Sequence, residues 1–450
     1  MSNSVYQTLS LISTLLVAIV QGIPVGTDLN VACVLFALMS GRFLWSRGAV
    51  FPALADLGLS APTVRRAEAA LVGGRWTLAK LLANWQRLLV SQGRFQPHEY
   101  EGIRPVPCDL TGFFRPHLNG CTTKHYVSQA NRALPALVFA LVGSVGSVGS
   151  VRLAIPRLIL RQGAQETSEN LLMQRVLMQA ADILAECEAL VVDAGFSLAY
   201  LLSLCQKRAE RSEPVMHFVA RVDKNFTARR NELPAYKGRG RRPEHGEVVR
   251  PLARKYKEHA LAATPADKQA HWKHKGKTVR AQLYENLVLP SVLPGAPACV
   301  CFRAVVIHDP RYKEPLILAT NLSVSAKALW QLYRDRWPIE QLPLAAKQML
   351  GAERAFVFGP EGRWRLPELA LLAGNALAYL AAVSQPVASG FWDRCCRPTC
   401  GRMRRTLHRV HFSELPFQEG QLRKKQSPTE HLPKGIQAHR RHKTVSVTGN

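Results

Sequence analysis

The spacing of apolar residues changes along the chain. Through the first 100 residues apolar positions recur every three or four residues, which is the period of a helix. Polar breaks separate these runs. The pattern predicts helices over Leu9–Val25, Asp28–Met39, Pro52–Leu57, Pro62–Val72 and Trp76–Val90. We therefore expect residues 1–100 to form an α-helical N-terminal domain.

From Gly102 the pattern becomes that of strands interrupted by helices. Short apolar runs predict strands over Arg104–Thr111, His125–Gln129, Leu134–Val142, Ala189–Gly195 and Met216–Asn225. Helical periodicity predicts helices over Glu166–Glu186 and Ser197–Arg208. A repeated Val-Gly-Ser over Val142–Val151 predicts a strand end and a turn. The fold class is thus mixed α/β.

Residues 226–321 interrupt this pattern. Their first part is rich in Gly, Pro and Lys, and strands are predicted again only over Pro297–Asp309 and Pro315–Asn321. We interpret the stretch as a basic insertion that contains β-structure. The following residues, 322–385, complete the core, and 386–450 form a basic C-terminal region. Its end, from about Gln418, is predicted to be disordered until it meets a partner.

The charge of the chain indicates its partner. The net charge is +27 and the pI is near 10.1, which favours a polyanion such as DNA. Between Lys224 and Arg280 there are 16 Lys and Arg against 5 Asp and Glu, and between Arg394 and Lys443 there are 13 against 3. Such dense basic blocks favour contacts with phosphates.

One stretch, Tyr333 to Lys347, carries a distinctive set of polar residues. Tyr333, Arg336, Glu340 and Lys347 are spaced so that a continuous helix would place them within roughly 60° of one another. A solvated stripe supported by an Arg336–Glu340 ion pair is one interpretation. Pro338 interrupts the helical pattern, as does Pro343.

The spacing Y-(2)-R-(3)-E-(6)-K resembles the signature of the bacterial insertion-sequence transposases called the IS-four family. The resemblance implies a DDE enzyme with a ribonuclease-H-like catalytic core over residues 101–225 and 322–385. It also implies that the insertion lies between the second aspartate and the glutamate. The expected reaction is cut-and-paste transposition: water nicks the transposon end, and the freed 3′-OH is joined to target DNA.

Three carboxylates are the expected catalytic and metal-binding residues: Asp109, Asp193 and Glu340. Asp109 lies on the first predicted strand and Asp193 at the end of the fourth, which neighbours the first in such a sheet. Two Mg²⁺ ions, for which Mn²⁺ can substitute, would be held by these three groups. Taken alone, an aspartate at a strand end is usually a turn former or a helix cap, and it is the joint spacing of the two aspartates before Glu340 that favours a catalytic role.

The expected DNA contacts lie in three places. By resemblance Tyr333, Arg336 and Lys347 grip phosphates at the transposon end. In the insertion, Trp272 amid Lys273 and Lys275 would stack on an unpaired base, although a partly buried core Trp is an alternative. Near the N-terminus Phe51–Leu71 resembles a helix-turn-helix whose second helix exposes two arginines, Arg65 and Arg66; three-helix packing without DNA gives the same periodicity.

The sequence carries no evident targeting segment, which predicts a cytoplasmic protein without a membrane partner. The resemblance implies a bacterial, nucleoid-associated protein that binds terminal inverted repeats and target DNA as a homodimer in the synaptic complex. The apolar N-terminus is too polar for a confident span and lacks the basic region of a signal peptide. Two alternatives remain: a two-metal nuclease or resolvase of the same fold, and a non-catalytic DNA-binding protein such as an inactive transposase copy.

Overall fold

The structure is a computed structural model, and it describes residues 3–422 apart from positions 116, 119, 120, 164, 167, 237, 239, 355, 356, 358, 389 and 419. Helices α1–α6 precede the sheet, α7 and α8 alternate with its strands, and α9–α12 follow. In order they span Asn3–Ile19, Thr27–Met39, Arg42–Trp45, Val50–Ala55, Ala61–Gly73, Leu78–Gln92, Glu169–Ile183, Leu198–Glu210, Ala326–Arg334, Gln341–Leu344, Gly362–Val383 and Cys400–His408.

Strands β1–β7 belong to the first half of the chain, and β8–β15 to the basic insertion. In order they span Gln96–Pro97, Arg104–Phe114, Lys124–Val127, Arg132–Val148, Val151–Arg161, Glu188–Val192, His217–Arg221, Ala228–Arg230, Val248–Val249, Arg254–Tyr256, His259–Leu261, Lys268–His274, Lys277–Val288, Phe302–His308 and Leu316–Thr320. The mixed α/β class predicted from the sequence is confirmed.

The strands described here form one sheet of 13 strands and a separate hairpin, β10–β11. In the large sheet β5, β4 and β2 are antiparallel neighbours, and β6 and β7 follow beside β2 in parallel. Beyond β7 the order continues through β15, β14 and β13, all antiparallel. The insertion therefore extends the central sheet, in keeping with the β-structure expected there.

Helices cover both faces of the sheet, because its central strands are apolar on both sides. Residues of α7 and α8 pack with one face of β2, β4 and β6. The opposite face packs in two places. Helices α1, α2, α5, α6 and α11 share a core with β4 and β5, while α9 packs against β6, β7 and β15. The N-terminal helices thus share a hydrophobic core with the sheet and α11.

The predicted helix-turn-helix corresponds to α4 and α5. Both helices pack together and against α2, and Gly58 supplies the positive φ of 76° in the turn between them. Ser60 precedes α5, and Pro62 stands in its first turn. Arg65 and Arg66 are exposed on α5, as the sequence predicts. Three-helix packing is therefore present, whereas DNA binding by this face stays a prediction.

Strand β5 is not predicted from the sequence, although the turn before it is. The Val-Gly-Ser repeat does contain a strand end and a turn, as predicted: β4 runs to Val148, the chain turns at Gly149, and β5 returns along β4. Pro156 made this run unlike a strand. In the structure Pro156 pairs with Gly143 at a register shift, where the ladder is irregular and a missing N–H is tolerated.

One described helix, α11, is long and apolar enough to cross a membrane. In its most apolar window 83% of the residues are buried inside the protein, which is compatible with a core helix of a soluble protein. The tail expected to be disordered begins near Gln418, and residues 423–450 lie outside the described part of the chain.

Candidate active site

Two of the three expected carboxylates lie on neighbouring parallel strands. Asp109 is in the middle of β2, and Asp193 follows the last residue of β6. The register pairs Pro107 with Val191, so each aspartate stands two residues beyond the same rung. Each side chain also accepts a 2.8 Å hydrogen bond from the next backbone N–H. The adjacency predicted from strand order is therefore present.

The third carboxylate, Glu340, is linked to Asp109 and Asp193 through the guanidinium of Arg336. Arg336 Nη1 lies 3.2 Å from Asp109 Oδ2, and Arg336 Nη2 lies 2.7 Å from Glu340 Oε1 and 3.6 Å from Asp193 Oδ2. Asp109, Asp193 and Glu340, which we call the carboxylate cluster, thus converge on one cation. Residues separated by more than 200 positions in the chain meet in contact with the same side chain.

Two of the cluster's neighbours also contact Asp193. The Tyr333 hydroxyl donates a 3.0 Å hydrogen bond to Asp193 Oδ1, and Arg221 Nη1 of β7 lies 3.5 Å from the same oxygen. Tyr333 is expected here from the sequence, whereas Arg221 is not. Arg221 ends β7, the strand that pairs with β6, so its position at this edge could have been predicted from the order of the strands.

The segment that carries Arg336 and Glu340 is not one helix, contrary to the sequence analysis. Helix α9 ends at Arg334; a 3₁₀ helix spans Trp337–Glu340 and leads into α10, and a π-helical turn spans Ala345–Met349. Pro338 stands in the first turn of this 3₁₀ helix, and its ring cannot continue the hydrogen-bond ladder of α9. The Arg336–Glu340 ion pair survives this change, whereas the single polar stripe through Lys347 does not.

Packing fixes this segment on the sheet. Ile339 is fully buried in the core shared by the N-terminal helices and β4–β5, while Leu332 of α9 is buried in the neighbouring core. A Cβ at Gly143 of β4 would lie only 3.0 Å from Ile339 Cδ1. The missing side chain at Gly143 therefore lets the 3₁₀ helix approach the strand closely, so that Arg336 and Glu340 reach the edge of β2.

Burial sets the protonation of this cluster. Burial raises the pKa of Asp109 to about 6, although Arg336 opposes the rise. For Asp193 burial also favours protonation, but Arg336 and hydrogen bonds from Ala194 and Tyr333 hold its pKa below the usual value. Burial would lower the pKa of Arg336, yet the surrounding acidic groups raise it, so the guanidinium stays charged.

Lys347 lies apart from the cluster. Its ammonium stands 5.4 Å from the ring centre of Phe113 and 5.7 Å from that of Phe114, at the far end of β2. Phe113 is four residues beyond Asp109, or about 13 Å along a strand. Burial lowers the pKa of Lys347. The π-helical turn has moved this lysine off the line of Arg336 and Glu340.

The donor set of the cluster suits a hard divalent cation. Mg²⁺ takes oxygen ligands and is commonly held by carboxylates, and the three groups here are all carboxylates converging on one positive charge. Among the described residues, no three His, Cys, Asp or Glu side chains are already arranged around one ion position. The Arg336 guanidinium lies among the three carboxylates instead.

A second acidic group, which the sequence analysis did not single out, lies directly beside Arg336. Asp335 is buried, and its Oδ2 is 2.7 Å from His98 Nδ1 and accepts a 2.8 Å hydrogen bond from the Tyr100 hydroxyl. Arg152 donates to the other oxygen, and Ser147 Oγ lies 2.6 Å from His98 Nε2. This Asp335 cluster ties α9 to β5 and to the chain before β2.

A cavity of about 630 Å³ opens beside Arg336 and Tyr333. Its wall carries several arginines and large aromatic rings, none of which except Arg336 and Tyr333 was expected at the site. The lining residues are Arg152, Arg221, Ile307, Asp309, Tyr312, Lys313, Glu314, Pro315, Leu316, Trp330, Tyr333, Arg334, Arg336 and Trp337. A cationic, aromatic cavity next to clustered carboxylates can accept a phosphate together with a flat ring.

Trp272 does not line this cavity. It lies on β12, partly buried, with its ring centre 5.6 Å from that of Trp330 on α9. Its indole N–H is buried without a partner among the described residues. Lys273 and Lys275 are exposed near the turn of the β12–β13 hairpin. The structure thus gives Trp272 a packing role, and its stacking on a base stays a prediction.

Comparison with known proteins adds no family: no protein-family model and no curated protein matches this chain.

Proposed function

We propose that this protein is a DDE transposase that catalyses metal-dependent cut-and-paste transposition of an insertion sequence. The observation that carries the proposal is the convergence of Asp109, Asp193 and Glu340 on one guanidinium. A partly buried arrangement of three carboxylates is costly, because like charges repel and burial favours their protonation. Such an arrangement is typical of sites that handle phosphates and cations.

The order of elements supports a ribonuclease-H-like core. Antiparallel strands β2, β4 and β5 are followed by α7, then by β6 in parallel beside β2, then by α8 and β7. Strand β5, which was not predicted from the sequence, does not change the expected order: a set of antiparallel strands, then a helix, a strand and a second helix. The position of Asp109 on β2 and of Asp193 directly after the neighbouring strand β6 supports this proposal, because such a core would carry its first two carboxylates on neighbouring strands.

In this proposal the carboxylate cluster would hold a pair of Mg²⁺ ions. A bound pair supplies an activated oxygen nucleophile, stabilises the leaving oxygen and shields the phosphate charge. The chain's own residues orient the DNA. Arg221 and Arg334 face the cavity and can bind phosphates flanking the scissile bond, while Tyr333 holds Asp193 in place through its hydrogen bond.

The exposed cations of the insertion would bind the rest of the DNA. Lys257 stands at the turn of the β10–β11 hairpin and Lys275 at the turn of the β12–β13 hairpin, both with positive φ. Arg65 and Arg66 offer a further exposed pair on α5. A bacterial protein that engages the nucleoid in this way works in the cytoplasm, and two copies would hold the two ends of the element.

Cleavage and joining assays test this function. The substrate is labelled duplex made from the DNA that directly flanks the coding sequence, incubated with purified full-length protein, Mg²⁺ and a supercoiled target plasmid. We expect a nick at the element's end and joining of its 3′-OH to the plasmid, both abolished by a chelator.

Other outcomes would replace the proposal. Metal-dependent cleavage without joining would identify a nuclease or resolvase of the same fold. Binding without cleavage would identify a DNA-binding protein whose carboxylate cluster is inactive. Absence of binding to any duplex at low salt would contradict the DNA-directed function altogether.

A further inference from the structure

The Arg336 guanidinium contacts every member of the carboxylate cluster. Its Nη2 contacts Glu340 at 2.7 Å and Asp193 at 3.6 Å, and its Nη1 contacts Asp109 at 3.2 Å. Only 13% of the Arg336 side chain is exposed. No other described cation is in salt-bridge contact with all three members of the cluster. Arg221, the other arginine nearby, contacts Asp193 alone among them.

This position is incompatible with bound divalent ions. A carboxylate oxygen holds Mg²⁺ at about 2.0–2.1 Å, and a pair of ions about 3.5–4 Å apart would need the space among the three carboxylates. The guanidinium fills that space and carries a like charge. Arg336 and the ions therefore compete for the same oxygens.

Arg336 has an alternative partner close by. It also lines the cavity, together with Arg152, Arg221 and Arg334, and a phosphate there would receive a guanidinium in the bidentate geometry that Arg favours. Because Arg336 stands in the irregular turn between α9 and the 3₁₀ helix, its side chain can change partners without breaking a helix.

We propose that Arg336 is a latch that keeps divalent ions out of the carboxylate cluster until a DNA phosphate draws its guanidinium into the cavity. This inference rests on the proposed function and adds its regulation. Binding of DNA then raises the affinity for metal, and by linkage metal raises the affinity for DNA by the same factor. A protein built in this way completes its metal site only after DNA has bound.

The test measures Mn²⁺ binding to full-length protein by electron paramagnetic resonance, without DNA. Wild type is compared with Arg336→Gln and with Arg211→Gln, a matched loss of one charge; Arg211 follows α8, its side chain is 71% exposed, and it does not line the cavity. We expect Arg336→Gln to bind Mn²⁺ about 5- to 150-fold more tightly than wild type. Arg211→Gln should stay within about twofold of wild type, the ordinary scatter for a charge lost outside a site.

Two further arms localise the effect. Adding Asp109→Asn to Arg336→Gln should remove the gain, since the new affinity belongs to the cluster. Adding a 30-base-pair duplex should tighten Mn²⁺ binding to wild type and leave Arg336→Gln unchanged. If Arg336→Gln does not fold, Arg336→Lys serves, because one ammonium cannot bridge three carboxylates and should give a smaller gain.

The inference is overturned if removing the guanidinium leaves Mn²⁺ affinity unchanged or lowers it, or if DNA does not change the affinity of wild type. These results are distinct from failure of the proposed function. The measurement without DNA needs no cleavage activity. If Arg336→Gln binds Mn²⁺ more tightly but the wild-type protein never cuts DNA, the latch is supported and the transposase function is contradicted. If the wild-type protein cuts DNA but Arg336→Gln shows no gain in Mn²⁺ affinity, the transposase function is supported and the latch is contradicted.

Discussion

Two groups of acidic residues meet at the turn after α9, and they are built in opposite ways. Asp335 has 1% of its side chain exposed and is surrounded by three side chains from two parts of the chain: His98, Tyr100 and Arg152. The carboxylate cluster has the reverse balance, with three acids around one shared guanidinium. Their exposed fractions are 26% for Asp109, 33% for Asp193 and 38% for Glu340.

This difference in burial and in the number of partners distinguishes an acid that stabilises the fold from acids that form a binding site. An acid with more donors than charge, sealed from water, holds the fold together, because its loss leaves buried partners unpaired. Three partly buried acids that share two arginines cost the fold stability, and such a cost is typical of a site that receives a ligand. Asp335 lies next to Arg336 in the chain, so the first group holds in place the residue that the second group shares.

The largest stability effect is expected at Asp335. Asp335→Asn removes the charge that Arg152 faces and disrupts the bond to His98, so it should lower the free energy of unfolding by about 3 kcal/mol, the lower end of the range for breaking one side of a buried pair because Arg152 is 40% exposed. Urea unfolding followed by circular dichroism measures it. A loss below about 1 kcal/mol would mean that the Asp335 cluster is not a structural tie.

The opposite sign is expected at Asp109 in metal-free protein. Folding raises its pKa from 3.8 to about 6, so the ionised acid costs stability at high pH, and at about 1.4 kcal/mol per pKa unit the cost is at most about 3 kcal/mol. Asp109→Asn should therefore be more stable than wild type at pH 8. The gain should shrink as the pH falls from 6 to 4 and vanish below 4, where the acid is protonated in both states.

Thermal unfolding in a chelator, scanned from pH 4 to pH 8, checks this sign. Asp182→Asn is the control, since Asp182 is a largely exposed aspartate on α7. A pH-independent loss of stability in Asp109→Asn would place Asp109 with Asp335 among the structural acids.

Two tyrosines, each donating a hydrogen bond to one of the two groups of acids, allow the same comparison with a smaller expected change in stability. Tyr100 donates to Asp335 at 2.8 Å and Tyr333 donates to Asp193 at 3.0 Å. Tyr100→Phe should cost about 1.5–3 kcal/mol, the usual range for a hydrogen bond to a charged group. Tyr333→Phe should cost less, because Asp193 keeps both arginine partners and partial solvation. Equal costs in denaturant titrations would contradict the distinction.

The smallest effect on stability is expected at the exposed cations. Lys273→Ala and Lys275→Ala should leave the free energy of unfolding within about 0.5 kcal/mol of wild type. DNA binding should change instead. A plot of the logarithm of DNA affinity against the logarithm of salt concentration should have a slope smaller in magnitude by about 1 for each substitution that removes a phosphate contact. Fluorescence anisotropy at several salt concentrations measures the slope, and an unchanged slope would remove this hairpin from the DNA contacts.

The sequence predicts the parts of the site that follow from strand order. Asp109 and Asp193 could be paired because a parallel neighbour of the first strand places both at one edge. The geometry at Glu340 was only partly predictable: Pro338 signalled a break, but the 3₁₀ helix depends on Ile339 packing against Gly143. Neither periodicity nor spacing reveals such a contact between distant segments.

Asp335 shows why the remainder was missed. In the sequence it is one acid between two arginines, which resembles a solvated surface. Its partners lie 183 to 237 positions away, in strand β5, which the analysis missed, and in the chain before β2. Burial and donor count, which decide its role, become visible only when these segments are packed together.

The account's central claim is that Asp109, Asp193 and Glu340 form one catalytic site. The most direct test measures the initial rate of Mg²⁺-dependent cleavage of end-containing DNA by Asp109→Asn, Asp193→Asn and Glu340→Gln, beside DNA binding by the same proteins and the Asp182→Asn control. We predict that each substitution lowers cleavage at least about a thousandfold, as expected of residues that act as a unit, while binding stays close to wild type. Cleavage that persists in any of the three would contradict the claim.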